Sequence, residues 1–163
     1  MKARNGFKAG FTLVEILIVV VILGILAAIV IPQFTNASEN AKGSSLVSQL
    51  QTIRSQLELY QVQHNGTYPD LVTSWDQFTL YTDDDGNTNA AKTDVFKHGP
   101  YMQQAPRNPL VNGDDAAKSA VADGNTGAWD YDETTGSIKA VLTQEKADAL
   151  NIGANDFTVA AAD

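Results

Sequence analysis

The feature that most constrains this chain is an apolar run near its N-terminus. From Ile16 to Ile31 every residue is apolar or glycine. As a helix, residues 11–31 would extend about 31 Å, which is close to the ~30 Å hydrocarbon core of a bilayer. A basic flank formed by Lys2, Arg4 and Lys8 precedes the run, and such flanks stay on the cytoplasmic side of a membrane. The sequence therefore predicts one membrane-spanning helix, with the rest of the chain delivered to the other side.

Glu15 departs from this apolar character. An ionised carboxylate in a spanning helix is costly and usually has both a partner and a function. A secretory signal peptide is one alternative, but its apolar core has about 7–15 residues and ends at a small-residue cleavage site. The run here is longer and leads into the sequence PQFTNAS. A plain single-span anchor is the second alternative, and it leaves Glu15 without a role.

The sequence around Glu15 suggests that role. The segment GFTLVE, residues 10–15, follows a short basic leader and resembles the type IV prepilin cleavage and methylation signature. The resemblance implies that a prepilin peptidase cuts between Gly10 and Phe11, that Phe11 is then N-methylated, and that Glu15 is kept for assembly. We expect the Glu15 carboxylate to pair with the new α-ammonium of a neighbouring subunit, which offsets the cost of burying either charge alone. A subunit out of register would leave a charge unpaired.

Two residues later in the run mark where the helix could soften. Pro32 removes a backbone donor and clashes with the preceding turn, so a bend is expected near it. Gly24 lowers helix propensity by about 1 kcal/mol relative to alanine. In the resembling family this stretch can lose helical order within the filament, so Gly24 and Pro32 join Glu15 as predicted assembly residues. The alternative is the glycine and proline of an ordinary membrane helix, where both are common.

After Pro32 the pattern becomes that of an amphipathic helix. Apolar residues recur at spacings of 4, 3, 4 and 3 and so share one helical face: Leu46, Leu50, Ile53, Leu57 and Tyr60. We expect this stripe to pack on a folded domain. The prediction is one helix from Phe11 to about His64, which Asn65-Gly66 then ends.

Three further elements are predicted after the long helix. Residues 74–81 should form a short helix, with Ser74 and Gln77 at the spacing of a capping box. Residues 127–142 should form a β-hairpin, and residues 143–150 a short capped helix. The predicted fold class is α+β, with a long N-terminal helix (a membrane half plus an amphipathic half) packed on a small antiparallel β-sheet, as in pilins.

Two segments of this remainder resemble pseudopilins, the type IV pilin-like subunits of type II secretion systems. Residues 60–69, YQVQHNGTYP, resemble the segment that follows the long helix in that family. Residues 98–110 resemble a stretch of the major pseudopilin, and their three prolines predict an extended connector. Asn108 stands where that pattern usually has aspartate, and Ala105 where it has leucine.

These observations divide the chain into four predicted parts. Residues 1–10 are a leader that is cleaved, and residues 11–32 are the transmembrane and filament-core helix. Residues 33–64 continue that helix in amphipathic form. Residues 65–163 form a small globular domain with the antiparallel sheet, and its alanine-rich end is expected to fray.

Composition argues against several classes of function. The formal charge is −8, and an acidic protein is poorly suited to binding nucleic acid through phosphates. Without cysteine there is no thiolate nucleophile or thiolate metal site. The sequence has no nucleophile elbow and no phosphate-binding glycine loop. His64 and His98 lack metal-ligand spacing and are expected to be surface or loop residues, so no enzyme is predicted.

One acidic segment is a candidate for binding calcium, the only cofactor that the sequence suggests. Residues 81–89, YTDDDGNTN, place Asp83, Asp85 and Asn87 around a glycine. The segment lacks the 12-residue spacing and the terminal glutamate of an EF-hand loop. Solvated turns rich in aspartate and asparagine are the simpler interpretation.

The resemblance implies a structural subunit of a type II secretion pseudopilus, which helps to export folded proteins across the outer membrane. Its implied partners are further copies of the chain in a helical filament, minor pseudopilins, the prepilin peptidase, an inner-membrane platform and a secretin. The implied location is the bacterial inner membrane, with the N-terminus cytoplasmic and the globular domain periplasmic. The alternatives are a type IV pilus subunit, used in adhesion, motility or DNA uptake, and a membrane-anchored binding module.

Overall fold

The computed structural model describes residues 10–113, 121–122 and 127–160. The chain divides into two compact units, Met1–Ser38 and Glu39–Asp163. The helices among the described residues are α1 (Leu13–Gln63), α2 (Asp76–Thr79) and α3 (Gln144–Ala149). The strands are β1 (Tyr81–Thr82), β2 (Thr88–Asn89), β3 (Val121–Ala122), β4 (Trp129–Asp132), β5 (Ser137–Leu142) and β6 (Phe157–Val159).

Helix α1 begins and ends within two residues of the predicted bounds. It ends where Asn65 and Gly66 take positive φ angles of 57° and 89°, a left-handed conformation that a helix cannot continue. The Gly66 N–H donates to the carbonyl of Gln61 at 2.8 Å, which satisfies one of the last helical acceptors. The predicted stop is therefore confirmed, together with its cause.

The helix also continues through Pro32. Proline has no N–H, so the carbonyl of Ala28 loses its usual helical donor. One turn further on, the Thr35 hydroxyl donates to the carbonyl of Ile31 at 3.2 Å. Pro32 does not interrupt the helix, and the bend expected near it stays a prediction.

The predicted stripe of α1 forms the centre of the second unit, Glu39–Asp163, which we call the folded unit. Its five side chains are at most 2% exposed: Leu46, Leu50, Ile53, Leu57 and Tyr60. They pack in one cluster with residues of the sheet, of α2 and of α3, including Phe78, Trp129, Ile138 and Ala147. The helical periodicity thus identified the core face of α1 correctly.

The opposite face of α1 carries hydroxyl side chains that bond to their own helix. Ser48, Thr52 and Ser55 each donate to the carbonyl four residues earlier, all at 3.0 Å. This geometry occupies each hydroxyl hydrogen within the helix. We refer to these three residues as the hydroxyl face.

The main sheet has the strand order β3-β4-β5-β6, and β1 pairs with β2 in a separate antiparallel ribbon. Strands β4 and β5 form the predicted antiparallel hairpin, with Trp129 opposite Ala140. Strands β3 and β6 join this hairpin in parallel, which the sequence analysis did not anticipate. The α+β class and the helix packed on a small sheet are confirmed. Strand β6 lies in the region expected to fray, whose last residues, 161–163, are outside the described part.

The helix predicted over residues 74–81 is shorter, and its capping box does not form. Ser74 Oγ accepts from the Asp76 N–H at 3.2 Å, and the N-cap residue is Trp75, which makes no side-chain cap bond. The Gln77 side chain instead accepts from the Tyr60 hydroxyl and donates to the carbonyl of Gly86. The predicted cap was wrong at Gln77, because partners distant in sequence satisfy its amide group.

The proline-rich connector is fastened by a buried asparagine. Asn108 is 0% exposed; its amide group donates to the carbonyl of Ala128 and accepts from the Leu110 N–H, both at 3.0 Å. The predicted short helix α3 follows the hairpin. It is capped by Thr143, whose side chain accepts from the Lys146 N–H.

Candidate functional site

The start of α1 is organised by a reciprocal capping box between Thr12 and Glu15. Oε2 of Glu15 accepts from both the backbone N–H and the hydroxyl of Thr12, each at 2.7 Å. In return, the Glu15 N–H donates to the Thr12 hydroxyl oxygen at 3.2 Å. This arrangement satisfies donors that the first turn of a helix leaves unpaired. Glu15 was predicted to be a site residue and Thr12 was not, although the spacing T-x-x-E indicates a capping box.

The predicted cleavage position lies just before this box. Gly10 and Phe11 precede the first helical residue, and the Phe11 side chain is 85% exposed. The peptide bond between them is therefore outside the helix and accessible. A Cβ added at Gly24 would have no described atom within 4 Å, apart from the backbone of its own helix. Among the described residues, Glu15 bonds to Thr12, and the other predicted assembly residues, Gly24 and Pro32, lie at separate positions along α1.

Large apolar side chains cover the whole circumference of α1 in the part of the helix that belongs to the first unit, Met1–Ser38. From Phe11 to Phe34 these side chains are at least 41% exposed, the least exposed being Val30. Among the described residues of α1, the first buried position is Gly43. One helix in the described part of the chain is long and apolar enough to cross a membrane, by length and composition, and it is α1. A surface that is apolar all round needs lipid or other apolar helices as its surroundings.

The calcium candidates lie in a loop that its own hydrogen bonds hold closed. Oδ1 of Asp83 accepts from the N–H groups of Asp85 and Asn87, and Oδ2 accepts from the Asn87 side-chain amide at 2.9 Å. The side-chain bond from Asn87 is the main reason that the pKa of Asp83 lies below its ordinary value. Among the residues that the structure describes, no three His, Cys, Asp or Glu side chains are placed to hold one metal ion. Calcium binding by this loop stays a prediction.

The neighbouring Asp84 is part of a small charged cluster. It accepts from His98 Nε2 at 2.8 Å and from Lys97 Nζ at 3.0 Å. These bonds, His98 first, lower the pKa of Asp84 below its ordinary value. The three side chains tie the calcium-candidate loop to the start of the proline-rich connector.

His64 was expected to be a surface or loop residue; it lies in the turn after α1, but it is buried. It is 3% exposed, and its ring stacks on that of Tyr60 with centroids 3.7 Å apart. Nδ1 lies 2.9 Å from the carbonyl oxygen of Tyr60, and Nε2 lies 3.0 Å from the hydroxyl of Thr82. Because a carbonyl only accepts, the geometry assigns the proton to Nδ1 and lets Thr82 donate to Nε2. Both ring nitrogens thus serve the packing at the end of α1.

The folded unit also has an open cleft between the loop after α1 and the hairpin turn, lined by acidic side chains. Asp70 accepts from the N–H and the hydroxyl of Thr73, and Asp132 accepts from Thr134 and Thr135 in the same way. These bonds lower the pKa of both carboxyl groups. Asp70 and Asp132 therefore cap their own turns.

Comparison with known proteins agrees with this geometry. Residues 5–31 match the family described as the prokaryotic N-terminal methylation motif. The chain is 30% identical to type II secretion system core protein G of Aeromonas hydrophila over 105 residues, which are 64% of this chain and 69% of that protein. It is 32% identical to the protein of the same name from Klebsiella pneumoniae over 102 residues, which are 63% of this chain and 69% of that protein.

A shorter and more similar match is found in Pseudomonas aeruginosa, again to type II secretion system core protein G. It is 44% identical over 62 residues, which are 38% of this chain and 43% of that protein. No solved structure is a significant match to the chain.

Proposed function

The chain belongs to the family of type II secretion system core protein G, the major pseudopilins, and on that premise we propose that it is a structural subunit of a pseudopilus. Helix α1 would supply the packing surface of the filament, and the folded unit would face outward. The observation that carries the proposal is the exposed apolar surface of α1 with Glu15 in its first turn. Its role is assembly rather than catalysis.

Maturation of the subunit would begin with removal of residues 1–10. A prepilin peptidase cuts between Gly10 and Phe11, and the new α-amino group of Phe11 is methylated. The exposed, non-helical bond at this position supports the proposal, because a peptidase can reach a bond that is not enclosed in a helix. Residues 11–32 then form the filament core, residues 33–64 continue the helix, and residues 65–163 form the outer domain.

Register in the filament would depend on Glu15. Its carboxylate pairs with the Phe11 α-ammonium of a neighbouring subunit, and the low dielectric of the helix bundle makes an unpaired charge costly. A subunit that docks one step out of place leaves a charge unpaired. Gly24 and Pro32 lie further along α1, where reduced helix propensity and a missing backbone donor let the helix adapt to its neighbours.

The proposed location is the bacterial inner membrane, with a cytoplasmic N-terminus and the folded unit in the periplasm. The proposed partners are further copies of the chain, minor pseudopilins, the prepilin peptidase, an inner-membrane platform and a secretin. The relatives are named as proteins of type II secretion. For that reason we favour the pseudopilus over a type IV pilus as the filament that the subunit builds.

The decisive experiment is the intact mass and N-terminal sequence of the protein purified from its native membrane. We expect a chain that starts at N-methylated Phe11. A chain that starts at Met1, or one cut near Ala37, would contradict prepilin processing and the filament function with it. Loss of secretion on deletion of the gene, with motility and DNA uptake retained, would distinguish the pseudopilus from a pilus.

A further inference from the structure

We propose that Thr12 is a positioning residue for assembly, which holds one oxygen of the Glu15 carboxylate within the subunit and leaves the other for the neighbouring subunit's α-ammonium. The inference rests on the proposed function, because it takes Glu15 to be the group that pairs between subunits. It adds a second residue to that pairing and states how the two carboxylate oxygens are divided.

The hydrogen bonds at the start of α1 show this division. Both donors of Thr12, its N–H and its hydroxyl, converge on Oε2 of Glu15 at 2.7 Å. Among the residues that the structure describes, none donates to Oε1. Two short charge-assisted bonds to one oxygen fix the direction of the whole carboxylate. A carboxylate can accept about four hydrogen bonds, so Oε1 keeps its full capacity for a cation.

The capping box also survives the proposed maturation. All of its atoms belong to residues 12–15, which lie on the retained side of a cut between Gly10 and Phe11. The Thr12 N–H belongs to the peptide bond that follows Phe11, so the cut does not turn it into an amine. Leader removal therefore creates the ammonium group in an environment where the carboxylate is already oriented.

Orientation before assembly matters for two reasons. A subunit that waits in the membrane has few waters with which to solvate Glu15, and the donors of Thr12 replace part of that hydration. A side chain held in one rotamer also loses less conformational entropy when the neighbouring ammonium binds. Thr12 thus lowers the cost of burying the carboxylate before assembly and fixes its orientation for the neighbouring ammonium during assembly.

The test uses the full chain expressed with its assembly system. Thr12→Val keeps the shape of the side chain and removes the hydroxyl, whereas Thr12→Ser restores a hydroxyl. Thr35→Val is the matched control, because the Thr35 hydroxyl donates only to the carbonyl of Ile31 on its own helix. Three quantities are measured for each variant: the N-terminal mass, the yield of sheared filaments, and amide hydrogen exchange of residues 12–16 in detergent.

We expect Thr12→Val to lower the filament yield about fivefold and to speed amide exchange in residues 12–16 by a similar factor, as for loss of one helix cap. Thr12→Ser should restore both quantities to within about twofold of the wild type, and Thr35→Val should change neither. The proposal is overturned if Thr12→Val assembles normally, if Thr12→Ser is as defective as Thr12→Val, or if yield falls without faster exchange. The N-terminal mass separates the two levels: a wild-type chain not processed to Phe11 refutes the filament function, whereas the exchange data still report on the Thr12–Glu15 box.

Discussion

The two parts of α1 make the most instructive comparison in this protein, because one continuous helix is apolar in two different ways. Up to Ser38 its large side chains are apolar around the whole circumference, and among the described residues they pack against no core. From Gly43 to Tyr60 the buried positions recur every three or four residues and form one stripe. The difference shows what each part needs: the stripe needs a partner on one side, whereas the first part must be surrounded. The chain supplies the first kind of partner itself, and lipid or other subunits must supply the second.

Removing the charge from the first part should have the largest effect. We expect Glu15→Ala to lower the filament yield more than about 100-fold, because it leaves the ammonium of the neighbour buried without a partner. The melting temperature of the folded unit, followed by the fluorescence of buried Trp129, should not change. Glu58→Ala removes an exposed carboxylate from the second part of the same helix and should assemble normally. Normal filaments from Glu15→Ala would break the comparison, because the first part would then need only apolar contact.

Truncating the stripe should have the opposite pattern. Leu50 is fully buried, so we expect Leu50→Ala to lower the free energy of unfolding by about 2–5 kcal/mol, through lost burial and the cavity that remains. Val62 lies on the same helix with its side chain 80% exposed, and Val62→Ala should change stability by less than about 0.5 kcal/mol. Thermal or denaturant unfolding of the full chain in detergent would measure both. Equal losses in the two variants would mean that the stripe is not the core.

A smaller difference of the same kind, between a packed and an unpacked position, is expected at two glycines of the folded unit. Gly136 and Gly66 both have positive φ angles, but an added Cβ would overlap the Tyr68 ring at Gly136 and meet nothing within 4 Å at Gly66. Gly66→Ala should cost about 1 kcal/mol of stability from backbone strain alone. Gly136→Ala should cost roughly 2–4 kcal/mol, because overpacking adds to the strain. If the two variants unfold at the same denaturant concentration, overlap with Tyr68 does not contribute to the loss of stability.

Acid should act weakly and mainly on the folded unit. The pKa values of Asp70, Asp83, Asp84 and Asp132 lie below the ordinary 3.8 because each carboxylate accepts hydrogen bonds. Their contribution to stability is therefore complete above that value and is lost as the pH falls through the lower folded-state pKa. We expect a constant melting temperature between about pH 5 and 7 and a decline below about pH 4. Asp83→Asn should make that decline shallower; an unchanged profile in this variant would exclude Asp83 from the effect.

The parts of the fold that were predicted correctly from the sequence are those in which a local residue pattern is enough to identify the secondary-structure element. The stripe of α1 repeats at the helical period, and the hairpin alternates aromatic with acidic residues before a turn, so both were predicted with their bounds nearly right. Strands β3 and β6 have two and three residues. Elements this short carry no period, and only their neighbours in the sheet determine that they are strands.

The residues that were misjudged have partners distant in sequence. His64 was expected to be a surface or loop residue; it does lie in a turn, but Thr82, 18 residues away, gives its ring a polar neighbour inside the fold. Gln77 was assigned to a helix cap, and its amide instead bonds to groups on α1 and on the loop before β2. Thr12 is a different case. Its spacing from Glu15 was readable, but the segment was considered as a membrane span and a processing signal rather than as a helix start.

The hydroxyl face of α1 has a consequence for how this helix can change its surroundings. The hydrogen of each hydroxyl group in Ser48, Thr52 and Ser55 is already bonded to a carbonyl of the same helix. Removing water from such a surface breaks fewer hydrogen bonds than removing it from free hydroxyl groups. A helix face of this kind is polar in composition, yet its hydroxyl hydrogens keep the same hydrogen bonds in water and in an apolar environment. It can move from solvent to a dry neighbour without any of these three hydroxyl hydrogens having to find a new acceptor.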